Sequence, residues 1–303
     1  MTSLKNKVKA YLRLIRAHTV IATALTPSLG AFATFSVLEG SLFPWDKIHI
    51  IVSLFFVGTI VHVFGEILND YMDYEIDKAS AELSDKPLVS GEVSKKSAIA
   101  GLIICFASLI IILIYFPFNW LSIVMLFIAS STGIIYQIIS KKWLHSAVFL
   151  GLYAFFIILF GGVYAGDFNN LTSIPPLVYI ISTLGFFQLW INTAILGHLK
   201  DIKNDSEFGV LTLPMRLGVK VEGGGNTPKL IMPMGFRSIV IFIQIINLLI
   251  AFIPLFFYQR FYDGDINLYL LLTGLILISL MMMASQIKTI MFNIFKIIFN
   301  EFY

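Results

Sequence analysis

In the stretch Asn69-Asp70-Tyr71-Met72-Asp73-Tyr74-Glu75-Ile76-Asp77, residue types and spacing first suggest chemistry. If one helix runs through it, Asp70, Asp73 and Asp77 fall at i, i+3 and i+7 and share a face. Carboxylates so close repel one another unless a cation sits among them. Hard oxygen donors with room for water suit Mg²⁺, which is usually held by a few carboxylates plus a substrate's phosphates. A second pair, Asp201 and Asp205 in His198-Leu199-Lys200-Asp201-Ile202-Lys203-Asn204-Asp205, is four residues apart and also follows a long apolar run. Two such clusters at one membrane face, drawn from distant parts of the chain, would clamp one diphosphate between two metal ions.

The elements that must position these groups are membrane helices. Of the 303 residues, 58% are hydrophobic and 13% charged, which excludes a soluble globular protein and leaves a polytopic membrane protein. Apolar runs near the ~20 residues that cross a bilayer fall at about 19–38, 48–68, 97–116, 119–139, 147–166, 175–197, 236–258 and 267–286. The expected fold is all-α, a polytopic membrane helical bundle of 8–9 transmembrane helices around a central cavity, with residues 287–303 as a partial ninth helix or an interfacial segment. No small-residue cleavage context follows Lys5, Lys7, Lys9, Arg13 and Arg16, so the first helix is expected to be retained.

Orientation follows from charge. With a cytoplasmic N-terminus, 19 of the 21 Lys and Arg residues lie in inside segments, and only Lys47 and Arg260 lie outside. The positive-inside rule then puts the N-terminus and both acidic clusters on the cytoplasmic side. Asp77 follows the second run and Asp205 the sixth, an even offset of four helices. Residues 1–303 therefore read as a single membrane domain with a two-fold pseudo-repeat, 1–146 and 147–303, about an axis along the membrane normal. The one cysteine, Cys105, lies in an apolar run and reads as a small buried hydrophobe, so neither a disulfide framework nor a zinc site is available. Gly223-Gly224-Gly225-Asn226-Thr227-Pro228 reads as a flexible loop and not a phosphate cradle, because no strand-to-helix context surrounds it.

Taken together, Asn69-Asp70-x-x-Asp73-x-x-x-Asp77, Lys86-Pro87-Leu88-Val89-Ser90-Gly91, and Asp201-x-x-x-Asp205 followed by Gly209 and Thr212-Leu213-Pro214 resemble the UbiA superfamily of intramembrane prenyltransferases. The first motif agrees with the superfamily's NDxxDxxxD at every fixed position, and the resemblance runs from Arg13-Leu14-Ile15-Arg16 to about the eighth apolar run. The resemblance implies Mg²⁺-dependent cleavage of a polyprenyl diphosphate. The prenyl group would pass to an aromatic acceptor of the 4-hydroxybenzoate or quinone-precursor kind, or to a lipid-like one. The implied partners are the polyprenyl diphosphate donor, a hydrophobic acceptor within the bilayer and membrane lipids, with no nucleic acid.

Loss of diphosphate from an allylic carbon builds negative charge on the leaving oxygens, so metal ions and fixed cations aimed there lower the barrier. On that reading Asp70, Asp73 and Asp77 hold one ion, Asp201 and Asp205 a second, and Asn69 donates to a phosphate oxygen. Lys86 stands where the superfamily commonly has arginine; a lysine serves as a point charge on phosphate without the bidentate fork. Arg16, Lys142 and Lys200, with Lys141, are the other diphosphate candidates, although cations flanking helices also set topology. Tyr136, near the end of the fourth run, lies where the superfamily has a tyrosine beside the diphosphate or the reacting carbon, and its ring face suits an allylic cation. His198 and Glu66 lie within a turn of the motifs, as a helix-end histidine and an intramembrane carboxylate.

The chain departs from the superfamily in two places. A ninth helix is short or missing, which puts one wall of a tail tunnel in question but not the diphosphate site. Several lipid-directed members carry an additional acidic residue upstream of the second motif, where this chain has Gly197-His198-Leu199, and that argues against a glycerol lipid as acceptor. The first alternative is therefore a geranylgeranylglyceryl phosphate-type lipid prenyltransferase. From another class comes a divalent-cation transporter, which would need acids at mid-membrane depth, whereas here they cluster at one face.

Overall fold

The computed structural model describes residues 4–41, 44–80, 83–207, 209–222 and 229–257. Its helices are α1 (Leu4–Leu14), α2 (Val20–Ala24), α3 (Thr26–Leu38), α4 (Ile48–Met72), α5 (Tyr74–Ala79), α6 (Lys95–Tyr115), α7 (Trp120–Ile139), α8 (Ala147–Ala165), α9 (Pro176–Ile191), α10 (His198–Glu207), α11 (Leu213–Arg216) and α12 (Met234–Phe257). Among the described residues, six helices are long and apolar enough to cross a membrane: Trp45–Met72, Lys95–Tyr115, Trp120–Ile139, Ala147–Ala165, Pro176–Ile195 and Met234–Ile253. Ile103, Ile104, Phe106 and Ile111 of α6 are exposed, as expected of a face that meets lipid tails.

Three expectations change. The first apolar run is not one helix but breaks at Leu25 into α2 and α3, because Pro27 in the first turn of α3 has no N–H to continue the ladder from α2. The sixth run does not stop at residue 197. After α9 the chain passes through a π-helical turn, Asn192–Gly197, directly into α10, which carries Asp201 and Asp205; such turns recur at functional sites. Between α11 and α12, β1 (Lys220–Glu222) pairs antiparallel with β2 (Lys229–Ile231), Lys220 opposite Ile231, a hairpin the sequence did not suggest. The glycine-rich loop at 223–228 lies outside the described residues, as do the eighth run at 267–286 and the segment 287–303.

The described chain forms two compact units, one from the described residues of Met1–Ile139 and Leu152–Ser182, the other from those of Ser140–Gly151 and Thr183–Tyr303. In the first, backbones approach closely at small residues, as membrane helices do when lipid competes for every apolar contact. A Cβ on Gly161 would stand 1.8 Å from the Pro27 carbonyl oxygen, and one on Gly30 1.9 Å from that of Ile158. Thr34 adds a hydroxyl bond to the Gly162 carbonyl at 3.0 Å. Gly58 gives the same close passage between α4 and α2, since a Cβ there would lie 2.3 Å from the Ala24 carbonyl oxygen. Gly58→Val is expected to destabilise the protein by about 1–3 kcal/mol through overpacking, lowering both the thermal midpoint and the donor affinity. In the second unit, Ile191, Ala194, Ile195, Ile202, Val219, Met232, Phe236 and Val240 form a buried cluster that fixes α10 against α12 and the hairpin.

Candidate active site

The first aspartate motif spans a helix junction. α4 ends at Met72, Asp73 occupies the joint, and α5 resumes at Tyr74, yet the ladder carries across: Asp73 N–H donates to the Asn69 carbonyl at 3.0 Å and Asp77 N–H to the Asp73 carbonyl at 2.9 Å. Asp70 and Asp77 therefore stay on one side and are both buried, at 5% and 4% exposure, while Asp73 and Asn69 are half-buried. The ammonium of Lys86 lies between the two buried carboxylates, 2.6 Å from Asp77 Oδ2 and 3.3 Å from Asp70 Oδ1. Arg16 approaches from the other end of the row, 2.8 Å from Glu66 Oε2 and 3.6 Å from Asp70 Oδ1. Burial alone would lower the Lys86 pKa, but the Asp70 charge and the Asp77 hydrogen bond outweigh it and hold the group above its ordinary value.

Lys86 is placed by its loop. Ser90 N–H donates to the Lys86 carbonyl and Val93 N–H to the Pro87 carbonyl, at 2.8 and 2.9 Å, closing a turn that Gly91 completes at φ +77°, where a side chain would be strained. Leu88 and Val93 then bury against Ala10 and Leu14 of α1, Ile67 of α4 and Ala98 of α6. Arg13 clasps the same loop, donating to the Asp85 carbonyl and pairing with Glu92 at 3.3 Å. Tyr136 is half-buried in the last turn of α7, and its neighbour Gln137 donates to the Gly65 carbonyl at 3.5 Å, tying that turn to α4 beside Glu66.

In the second unit Asp205 is 1% exposed, with Oδ1 accepting from Lys141 Nζ at 2.9 Å. Its Oδ2 is buried without a hydrogen-bond partner among the described residues. Gly209, at φ +70°, turns the chain away after α10, and Val210 N–H donates to the Asp205 carbonyl at 2.8 Å. Lys141 and not Lys142 thus meets the second motif; Lys142 is exposed. The side chains of Lys200 and Asp201 lie outside the described residues.

The profile of the UbiA prenyltransferase family matches residues 24–291. The chain belongs to this family. This UbiA-family chain is 28% identical over 219 residues to the digeranylgeranylglyceryl phosphate synthase of Sulfolobus acidocaldarius, covering 70% of the one and 71% of the other. Its fold resembles a UbiA homologue from Aeropyrum pernix, with TM-score 0.69 at 16% identity, covering 91% of this chain and 90% of that one. It also resembles a UbiA homologue from Archaeoglobus fulgidus bound to DMAPP and Mg²⁺, with TM-score 0.63 at 17% identity over 91% and 86% of the two chains.

Among the described residues of this UbiA-family chain, no three acidic, histidine or cysteine side chains converge closely enough to hold an ion. The donor chemistry nonetheless fits a hard divalent cation. Asp70 and Asp77 already share one positive charge through Lys86, and Asp205 Oδ2 is a buried carboxyl oxygen without a donor among the described residues.

One positioning residue escaped the sequence reading. His62 lies on α4 one and two turns before Glu66 and Asp70, 7% exposed, with Nε2 3.0 Å from the Ile15 carbonyl oxygen and Nδ1 2.9 Å from Thr23 Oγ1. A carbonyl only accepts, so Nε2 carries the proton and Nδ1 takes the Thr23 hydroxyl. The imidazole thereby pins the α1–α2 turn in which Arg16 adopts φ +45°, a conformation that costs a non-glycine residue about 1–2 kcal/mol. A polar residue mid-helix, two turns ahead of the motif, was the available signal. His62→Ala is expected to raise the donor KM roughly tenfold through the lost hydrogen bond to the Arg16 turn, with kcat falling less. His62→Gln, which can still donate to the Ile15 carbonyl, should recover most of it; equal KM in all three proteins would refute the role.

Proposed function

We propose that this prenyltransferase moves a prenyl chain from a polyprenyl diphosphate to a glycerol lipid that carries a phosphate, of the geranylgeranylglyceryl phosphate type, and releases diphosphate. What supports the acceptor is the set of digeranylgeranylglyceryl phosphate synthases among its relatives, a name that describes a glyceryl phosphate bearing two such chains. The aromatic acceptor ranked first from sequence gives way to this reading. The spare second motif weighed against a lipid, but it rested on Gly197-His198-Leu199 alone, where the π-helical turn passes into α10.

For the donor end, the observation that carries the reading is the row Arg16, Asp70, Lys86, Asp77, in which two fixed cations meet two buried carboxylates. Asp70, Asp73 and Asp77 would hold one Mg²⁺, and Asp201 with Asp205 a second. Bound there, the ions supply the charge neutralisation that lets diphosphate leave an allylic carbon. Lys86 and Arg16 bind the diphosphate oxygens and stabilise the charge that builds on them, and Asn69 donates to one of them. Lys141 holds Asp205, and Lys142 and Lys200 would add positive charge for the diphosphate. The Tyr136 ring would stabilise the carbon as it becomes cationic. The charge bias of the loops puts the N-terminus and the site on the cytoplasmic side of an 8–9-helix membrane protein.

The test offers labelled geranylgeranyl diphosphate and Mg²⁺ to membranes with geranylgeranylglyceryl phosphate or 4-hydroxybenzoate as acceptor. Label should enter a new lipid with the first and not with the second. Transfer to 4-hydroxybenzoate alone would restore the aromatic reading.

A further inference from the structure

A cavity of about 370 Å³ opens among α1, the α1–α2 turn, the end of α4 and the Lys86 loop, and its wall carries more positive charge than the donor site accounts for. Lys9, Arg13, Arg16, His18 and Lys86 face it, against only Asp70 and Asp85. Three of these basic groups are already engaged. Arg13 pairs with Asp85 and Glu92, Arg16 with Glu66 and Asp70, and Lys86 with Asp70 and Asp77. The side chains of Lys9 and His18 make no hydrogen bond or ion pair among the described residues.

We propose that Lys9 and His18 seat the phosphate monoester of the lipid acceptor, in the same cavity as, but separate from, the Arg16 and Lys86 cations that serve the donor. The ligand follows from what lines the wall. A lysine ammonium is a point charge suited to phosphate, and an imidazole N–H adds a directional donor, so the pair matches a compact anion with several acceptor oxygens. Leu12 lines the cavity beside them, and Val8 and Leu4 continue its face one and two turns along α1, at 49%, 50% and 79% exposure. A phosphate seat with an exposed apolar strip leading from it fits a phosphorylated lipid; a small aromatic acid would use neither the strip nor a second basic group. This seat rests on the acceptor reading above and extends it to particular residues.

The test uses the full chain in phosphatidylcholine nanodiscs, as wild type and as the Lys9→Gln/His18→Asn double variant. Both sites are exposed, so the fold should tolerate the changes. With geranylgeranylglyceryl phosphate, the acceptor KM is expected to rise about tenfold or more in the variant while the donor KM stays within about twofold, since charge-assisted hydrogen bonds to the acceptor alone are lost. Wild type should prefer this acceptor to its dephosphorylated alcohol, and the variant should lose that preference. Unchanged acceptor KM and preference would overturn the seat. A binding measurement with dodecyl phosphate, without turnover, separates the two claims. If wild type binds it, the variant does not, and neither transfers prenyl groups to lipid, the proposed reaction fails and the seat stands. A defect that appears only in discs containing phosphatidylglycerol would assign the cations to lipid headgroups and overturn the seat.

Discussion

Asp70→Asn is expected to abolish prenyl transfer, lowering kcat/KM by roughly 10²–10³-fold or more, as the loss of an electrostatic group aimed at a developing charge does. The change keeps the shape of the side chain and removes its charge. Asp70 Oδ1 is the one oxygen that both Lys86 and Arg16 approach, at 3.3 and 3.6 Å, so it registers both donor-site cations at once. The residue is also only 5% exposed, so solvent screens it little. Stability should change much less than activity, because Lys86 keeps Asp77 at 2.6 Å. Steady-state kinetics beside thermal unfolding would check this, and full activity in a folded Asp70→Asn protein would remove the motif from the mechanism.

Lys86→Met is expected to cost both stability and turnover. Removing one partner of a buried ion pair typically destabilises by about 3–5 kcal/mol, because the charge left behind is uncompensated. Here two carboxylates, each about 6% exposed at the side chain, would face each other with no ammonium between them. A divalent ion would relieve that repulsion, so added Mg²⁺ should raise the thermal midpoint of Lys86→Met more than that of wild type. The pH dependence has a definite sign. The Lys86 pKa is raised in the folded state, so its stabilisation is complete below the unfolded value of about 10.4 and is lost only as pH rises through the higher folded value. The difference in stability between wild type and Lys86→Met should therefore be flat across neutral pH and shrink in strong alkali. A difference that persists undiminished in strong alkali would contradict the pairing.

The acidic motifs and the long helices were legible because both are written in local spacing. Carboxylates at i and i+7 share a face whether or not the helix bends between them, so the joint at Asp73 did not separate Asp70 from Asp77. Lys86 was legible for a similar reason, as part of a motif. The partner of Asp205 was not: adjacent lysines at 141 and 142 carry the same charge signal, and only the turn after α7 decides that Lys141 reaches it. The break at Leu25 was masked by an apolar run whose composition continues through Pro27. His62 and Arg13 act through backbone carbonyls 47 and 72 residues away, at Ile15 and Asp85, and no local pattern encodes such partners. The acceptor was the least legible part, because no motif in the sequence carries it, while the proposed diphosphate residues are concentrated in motifs.

The proposed function requires that each aspartate cluster contribute to Mg²⁺-dependent binding of the diphosphate donor. Calorimetric binding of geranylgeranyl diphosphate to the full chain, with and without Mg²⁺, tests it most directly in wild type, Asp70→Asn and Asp205→Asn. Mg²⁺-dependent binding is expected in wild type, with most of that dependence lost in each variant. Undiminished Mg²⁺-dependent binding in Asp205→Asn would contradict it, leaving the second cluster with only its structural pairing to Lys141.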